Sequence, residues 1–481
     1  MRVMKNIFRI NIVNNSIWGA IANVLQNILF SIFFIIIARN YDEKIFGSYV
    51  ISNSLYSILL GFASLGLGNW FVRELINTEN KTELIKIFFK VLIIVGALLC
   101  LINYLLSYFL YSNGLILKLS SIIGINIIFD NIIYVIRYIN LSEGNQKTTF
   151  ILCTVDALLK CLIGCLLLFY KIDIIWISIL IVMVRLITLN LFLKYSLGRE
   201  FSIKDILNEK IKLKDLKNIV FKNWAFVIIS SVAILNWRIG SIIVSKFLSI
   251  ENIGYYEISL KFLSIAYIIP IIVSTSIYPL IIKTYNKGIE ETKSLYKMFH
   301  FFYFIYGIIT YAIVYRYASI LIPYFFGNKF IPSITYTQQM FGVMLIFPSI
   351  LLQANFLVAM KKEKVDMYCN ITSLIINVLL CFIGLHFIKS IIVVNASIII
   401  SFLIFHLMQD YILIKMKISS IFHLILFLII IAWTILYFNW SYSIANKDLQ
   451  LLLFILSLII SSIFYLKKYA ISKIIFKRIY R

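Results

Sequence analysis

The sequence predicts an all-α, polytopic membrane protein, on three observations. The chain is 62% hydrophobic and only 14% charged, whereas an ordinary globular chain carries roughly 25% charged residues. So few polar groups could not clothe a surface that faces water. The apolar runs extend for about 20 residues, the length a helix needs to cross a bilayer, and they lack the period-two alternation of barrel strands. In lipid the backbone must satisfy its own hydrogen bonds, so runs of this kind are helices.

Fourteen spans follow in order, at 16–38, 46–68, 88–110, 121–140, 148–170, 173–194, 223–245, 252–282, 298–318, 331–359, 367–388, 390–412, 420–440 and 449–466. The first follows the basic head "MRVMKNIFR" and lacks a small-residue cleavage site, so it reads as an uncleaved helix. The second opens at Phe46-Gly47 after the polar corner "RNYDEKI", and charged links at 73–90 and around Arg137 and Lys147 delimit the third to fifth. After the sixth span comes the most hydrophilic stretch, "KYSLGREFSIKDILNEKIKLKDLKN", which reads as a linker, either amphipathic and membrane-bound or simply solvated. Pro270 and Pro279 in the eighth span and Pro348 in the tenth are expected to kink their helices. The first half has no proline, so the kinks should be confined to the second half.

Placing the N-terminus inside puts 32 Lys/Arg in the inner segments, 9 in the outer ones and four (Lys160, Arg185, Arg238, Lys261) within spans. That asymmetry is the positive-inside pattern and places both ends in the cytoplasm. The net charge of +24 is therefore spread over many inner loops, where it meets anionic membrane lipids; nucleic acid is not an expected partner. The six cysteines all lie in apolar runs without metal-site spacing, and neither disulfide nor metal is expected.

Two patterns occur twice. The corner "IIIARNYDEKIFGSYV" (35–50) has its counterpart in "IIVSKFLSIENIGYYE" (242–257), pairing Arg39 with Lys246, Phe46-Gly47 with Ile253-Gly254, and Tyr49 with Tyr256. The basic links "RYINLSEGNQKTTF" (137–150) and "ANFLVAMKKEKVDMY" (354–368) join the fourth and fifth helices of each half. Six spans separate the copies, so the repeat is parallel. The implied organisation is a six-helix lobe at 1–195, a basic linker at 196–222, a second lobe at 223–416, and two further helices with a basic tail at 417–481. The paired corners are expected to act as matching outer hinges.

The stretches "ARNYDEKIFGSYVISNSLYSILLGFASLGLGNWFVREL" (38–75), "NWRIGSIIVSKFLSIENIGYYEISLKF" (236–262), "ILIPYFFGNKF" (320–330) and "ANFLVAMKKEKVDMYCNITSLIINVLL" (354–380) resemble the polysaccharide-exporter branch of the MOP flippase superfamily, the Wzx-type O-antigen and capsule flippases. The resemblance implies two six-helix lobes in a V shape that move an undecaprenyl-diphosphate-linked glycan across the membrane by alternating access. A polymerase of the same pathway would be the partner, and H+ or Na+ the coupling ion. Many relatives carry an acid directly after an "RI" in the seventh helix; this chain has Gly240 there.

Charges inside a bilayer are costly and mark candidate sites. Arg185 and Arg238, which have no oppositely charged neighbour on their own helices, and Lys160 and Lys261 are the candidate cavity cations for a diphosphate. Asp130, Asp156 and Glu257 are the candidate coupling groups or counter-charges. Asp156/Lys160 and Glu257/Lys261 stand one turn apart, acid first, so either pair can instead neutralise itself. Arg39 and Lys246 end their helices outside, as head-group contacts or snorkelling anchors. Asn23 and Asn27 share a helix face and suit sugar hydroxyls or interhelical hydrogen bonds.

Enzymatic readings find little support. The first outer loop is too short to hold a glycosyltransferase site around Asp42 and Glu43, and no long outer loop suits a polymerase. The histidines (His300, His386, His406, His423) are scattered along the sequence. A multidrug or cation antiporter and a lipid II flippase are the alternatives. An excess of cations over acids in the spans favours an anionic ligand.

Overall fold

The computed structural model describes residues 2–196, 224–440, 448–449 and 451–458. The linker 196–222 and the basic tail fall almost wholly outside the described residues, as does most of the fourteenth span, of which 451–458 is helical. Among the described residues twelve helices are long and apolar enough to cross a membrane. Helix Trp224–Phe247 occupies the place of the seventh expected span.

The chain forms two compact units, Met1–Gly254 and Tyr255–Arg481. Helix 224–247 packs along Glu43–Ala63, within the first unit.

The first unit comprises α1 (Arg2–Asn40), α2 (Glu43–Ala63), α3 (Gly68–Asn77), α4 (Lys81–Leu110), α5 (Gly114–Gly124), α6 (Asn126–Ser142), α7 (Gln146–Leu166), α8 (Ile174–Ser196) and α9 (Trp224–Phe247). Helix α1 packs on α7, α7 on α8, and α6 on both α4 and α8. The basic link after the second span folds into the short α3. Leu67, Phe71 and Leu75, four residues apart, are buried and Arg73 points outward. Phe71 stacks on Phe88 of α4 at 4.1 Å.

The second unit contains most of α10 (Ile250–Ala266), then α11 (Ile268–Tyr285), α12 (Ile289–Phe326), α13 (Ser333–Met340), α14 (Phe347–Ala359), α15 (Glu363–Phe387), α16 (Ile391–Lys415) and α17 (Ile421–Trp440). Breaks lie near two of the three prolines expected to kink their helices, while Pro279 stands inside the continuous helix α11. The eighth span breaks at Tyr267, three residues before Pro270, and the tenth passes through a 3₁₀ segment at Phe341–Leu345 before Pro348 starts α14. Proline lacks the N–H that continues the ladder and clashes with the preceding turn.

The expectation that kinks would be confined to the second half is corrected by the fourth span, which breaks at Ile125 between α5 and α6 without proline. Asn103 of α4 donates to the Ser120 carbonyl at 2.7 Å, the acceptor that the Gly124 N–H would use in a regular helix. Gly124 makes room for it, since a Cβ there would lie 2.4 Å from the Asn103 amide.

Both repeated features take the same form in each half. Short turns join α1 to α2 and α9 to α10. The corners also touch: Lys44 lies 3.6 Å from Glu251, and Gly47 lets α2 settle on the Ile250 carbonyl, where a Cβ would come within 2.3 Å. The links α6–α7 and α14–α15 close alike. Asn145 N–H donates to Asn140 and Lys362 N–H to Leu357, at 2.7 and 2.8 Å, with Gly144 (φ 76°) and Lys361 (φ 58°) in the left-handed region.

Candidate functional site

In the first unit four of the ionisable residues of the spans converge. Asp130 (α6), Asp156 and Lys160 (α7) and Arg185 (α8) form one network with Tyr56 of α2. The α6–α8 and α7–α8 packing faces each helix toward the same point. Arg185 donates from Nε and Nη2 to Asp130 Oδ1, and its Nη1 lies 3.1 Å from Asp156 Oδ1. Lys160 Nζ reaches Asp156 Oδ2 at 2.8 Å, Thr188 donates to Asp156 Oδ1 at 3.0 Å, and Tyr56 donates to Asp130 Oδ2. Both carboxylates are buried, while the cations keep some exposure, 14% for the Lys160 side chain and 18% for Arg185.

Two carboxylates and two cations make this network formally neutral. Arg185 has no acidic neighbour on its own helix, yet it does not stand alone: two carboxylates from other helices clamp it. Asp156 and Lys160 form the one-turn pair that their spacing allows. An arrangement of this kind stores two cations in low dielectric and uncovers one positive charge for each carboxylate that takes up a proton.

The other expected residues lie elsewhere. Arg238 is half-buried on α9; Glu257 is buried on α10, with half-buried Lys261 one turn further along. Lys246 reaches across to the Leu110 carbonyl and sits 3.9 Å from the Tyr111 ring centre, a cation–π contact that anchors the end of α9. Arg39 is exposed at the end of α1. Asn23 and Asn27 are exposed as well; Asn27 donates to the Asn23 carbonyl at 2.8 Å, and the neighbouring Gln26 makes the interhelical bond, to Thr154 of α7, at 3.3 Å.

A second network is absent from the sequence-level candidates. Asp410, within the span 390–412, is not among the acids counted there; with it four acids match the four span cations, which removes the excess read as favouring an anionic ligand, and the histidines read as scattered. In the fold, His300 (α12), His406 (α16) and His423 (α17) come together. Ring centres are 4.8 Å apart for His300/His423 and 6.0 Å for His300/His406. Gln353 of α14 places its amide nitrogen 3.2–3.3 Å from Tyr296 Oη, His406 Nε2 and Asp410 Oδ1. Tyr296 donates to Asp410 at 3.2 Å. The signal available in the sequence is His406/Asp410, one turn apart on a single face of α16. Among the described residues no group of three or more His, Cys, Asp or Glu is arranged to hold a metal ion.

A family model described as polysaccharide biosynthesis protein matches residues 12–285. Among curated proteins no sequence match is found. Solved structures are similar in fold. The lipid II flippase MurJ in an inward closed conformation has a TM-score of 0.73 at 16% identity, covering 94% of this chain and 99% of that one. A multidrug resistance MATE family transporter of the MOP superfamily, inward-facing, has 0.65 at 10% identity, covering 82% and 94%. A MOP superfamily transporter from Pyrococcus furiosus has 0.60 at 13% identity, covering 85% and 95%. The chain thus belongs to the polysaccharide biosynthesis protein family and is a multi-pass membrane protein with the fold of MOP-superfamily transporters.

Proposed function

We propose that the protein is a flippase rather than an enzyme, moving an undecaprenyl-diphosphate-linked oligosaccharide, an O-antigen or capsule repeat unit, across the bacterial inner membrane by alternating access. The family and the fold support the transporter reading. The observation that carries the ligand class is the Arg185/Lys160 pair, held in the spanning region by Asp130 and Asp156. With both carboxylates ionised the cations are neutralised and an anion gains little. Protonation of Asp130 frees the Nε/Nη2 fork of Arg185, and protonation of Asp156 frees Lys160, for phosphate oxygens, so proton uptake and diphosphate binding reinforce each other. Arg238, Lys261 and Glu257 are further candidates for the path. Both termini face the cytoplasm in this reading, and a polymerase consumes the product outside.

Lipid II is the second reading of the substrate, favoured by the similarity to MurJ over 94% of the chain. The test is glycan analysis in a strain lacking the gene. Loss of surface polymer with lipid-linked repeats trapped inside supports the proposal. Arrested peptidoglycan synthesis favours lipid II, single displayed repeats favour a polymerase, and unchanged glycan with heightened drug sensitivity favours a drug antiporter.

A further inference from the structure

The histidine network of the second unit has no part in the reading above. We propose that it is a proton-binding site. One exchangeable proton, entering beside a cavity of about 420 Å³ between α12 and α17, is held by the imidazoles of His423, His300 and His406, with the Asp410 carboxylate as counter-charge.

The site is buried but reaches the cavity. His300, His406 and Asp410 are 3%, 1% and 2% exposed, whereas His423 is half-buried and lines the cavity with His300. His423 Nε2 and His300 Nδ1 are 3.1 Å apart, so one ring carries the shared hydrogen and the other accepts it. That is the arrangement through which a proton passes from one ring to the next.

At the inner end the hydrogen bonds can rearrange on protonation. In the one observed, the Gln353 amide donates to Asp410 Oδ1 and faces His406 Nε2, which must therefore be an acceptor. The proton of neutral His406 then sits on Nδ1, a buried atom with no hydrogen-bond partner, and Gln353 Oε1 also has none. A proton added at His406 Nε2 turns that acceptor into a donor. A half-turn of the Gln353 side-chain amide then offers Oε1 to it, and Asp410, one helical turn away and still holding the Tyr296 hydroxyl, balances the added charge. The two states differ by one N–H bond, and no electron moves.

The surrounding helices supply few other charges. On α12 these are Tyr296 and Lys297. On α15 Asp366 is taken up by Gln409, 2.6 Å away. Ser419, in the link to α17, is buried near Asp410. Asp410, one helical turn from His406 and linked to it through the Gln353 amide, is therefore the acid of the network.

The test is deuterium exchange at the imidazole Cε1–H, read by mass spectrometry for each histidine over a pH series. It uses the full chain in lipid nanodiscs without glycan, so the result stands apart from the flippase reading. Exposed His386 on α15 is the internal reference. The expected result is a pH-dependent transition at His423, His300 and His406. His423→Gln should abolish or displace the His300 transition. Asp410→Asn should move the His406 transition to more acid pH, because the imidazolium loses its counter-charge, while His386 stays in place. The wild-type profile alone decides if the variants fail to fold. A transition at His386 with none at His300 and His406 overturns the proposal, as does a His406 profile that Asp410→Asn leaves unmoved.

Discussion

The two buried polar networks, one in each compact unit, solve the same physical problem by different means. In the first unit, formal charges cancel: Arg185 and Lys160 against Asp130 and Asp156. In the second, a single carboxylate, Asp410, is held by neutral donors, Gln353 and Tyr296, beside three imidazoles. Coulombic cancellation is strong but unforgiving, because removing one partner strands a charge in low dielectric. A hydrogen-bonded carboxylate tolerates the loss of one neutral donor better, since no second charge is exposed by it. The comparison teaches that burial of polar groups alone does not rank them; the charge left behind does.

The largest expected effect follows from that difference. Arg185→Leu leaves two carboxylates facing each other and should destabilise by about 3–5 kcal/mol, the cost of breaking a buried ion pair from one side. Thermal unfolding of the purified protein measures it. The double variant Asp130→Asn/Arg185→Gln should recover part of that loss; strict additivity of the two single changes would show that the clamp carries no coupling. Surface glycan should be lost in Arg185→Gln even where protein level is kept. Normal polymer there would remove Arg185 from the transport path.

Next in size is Gln353→Leu. It removes one donor from Asp410 and should cost about 1–3 kcal/mol, less than Arg185→Leu. Equal losses in the two variants would erase the distinction between charge cancellation and neutral hydrogen bonding.

How much of this was legible in the sequence depends on whether the geometry is local. The Asp156/Lys160 pair is fixed by one helical turn, and the spacing announced it. Arg185 lies 55 residues from Asp130, and the rotational phase of α6 against α8 decides whether they meet; apolar spans carry little amphipathic pattern to set that phase. The three histidines come from helices as far apart as α12 and α17, so no spacing connects them. Prolines marked the breaks near Tyr267 and Pro348 because their effect is local. The break at Ile125 needed a tertiary event, Asn103 of α4 taking a carbonyl of α5. The doubled corner was readable, but the contact of its two copies was not.

Close backbone contacts allow a comparison between the units at intermediate effect. A Cβ on Gly47 would come within 2.3 Å of the Ile250 carbonyl oxygen, and one on Gly307 within 2.2 Å of the Met344 carbonyl oxygen. Neither carbonyl can move like a side-chain tip, so Gly→Ala at each should cost about 1–3 kcal/mol through a forced shift of the helix pair. For Gly47 the shift has its own readout. A disulfide between Lys44→Cys and Glu251→Cys should form in the parent and slow markedly in the Gly47→Ala background. Unchanged crosslinking would mean that the corners meet without need of the glycine.

The smallest effect comes from the paired inner links. Gly144 and Lys361 close equivalent turns at φ 76° and 58°, and Lys417 closes a third at 62° after α16. In each, an N–H reaches back five residues, Asn145 to Asn140, Lys362 to Leu357 and Ile418 to Leu413. Side chains with a Cβ pay a steric cost of roughly 1–2 kcal/mol in this region, which glycine escapes, while glycine also loses more chain entropy on folding. Lys361→Gly should therefore raise stability slightly, by less than about 1 kcal/mol, and Gly144→Lys should lower it by a similar amount. Because both positions sit at a helix C-terminus, where a cation is favoured, the Lys361→Gly gain should grow as salt screens the charge it removes. Equal and opposite shifts would show that the two halves use one turn, with glycine chosen in the first and a basic residue kept at some steric cost in the second.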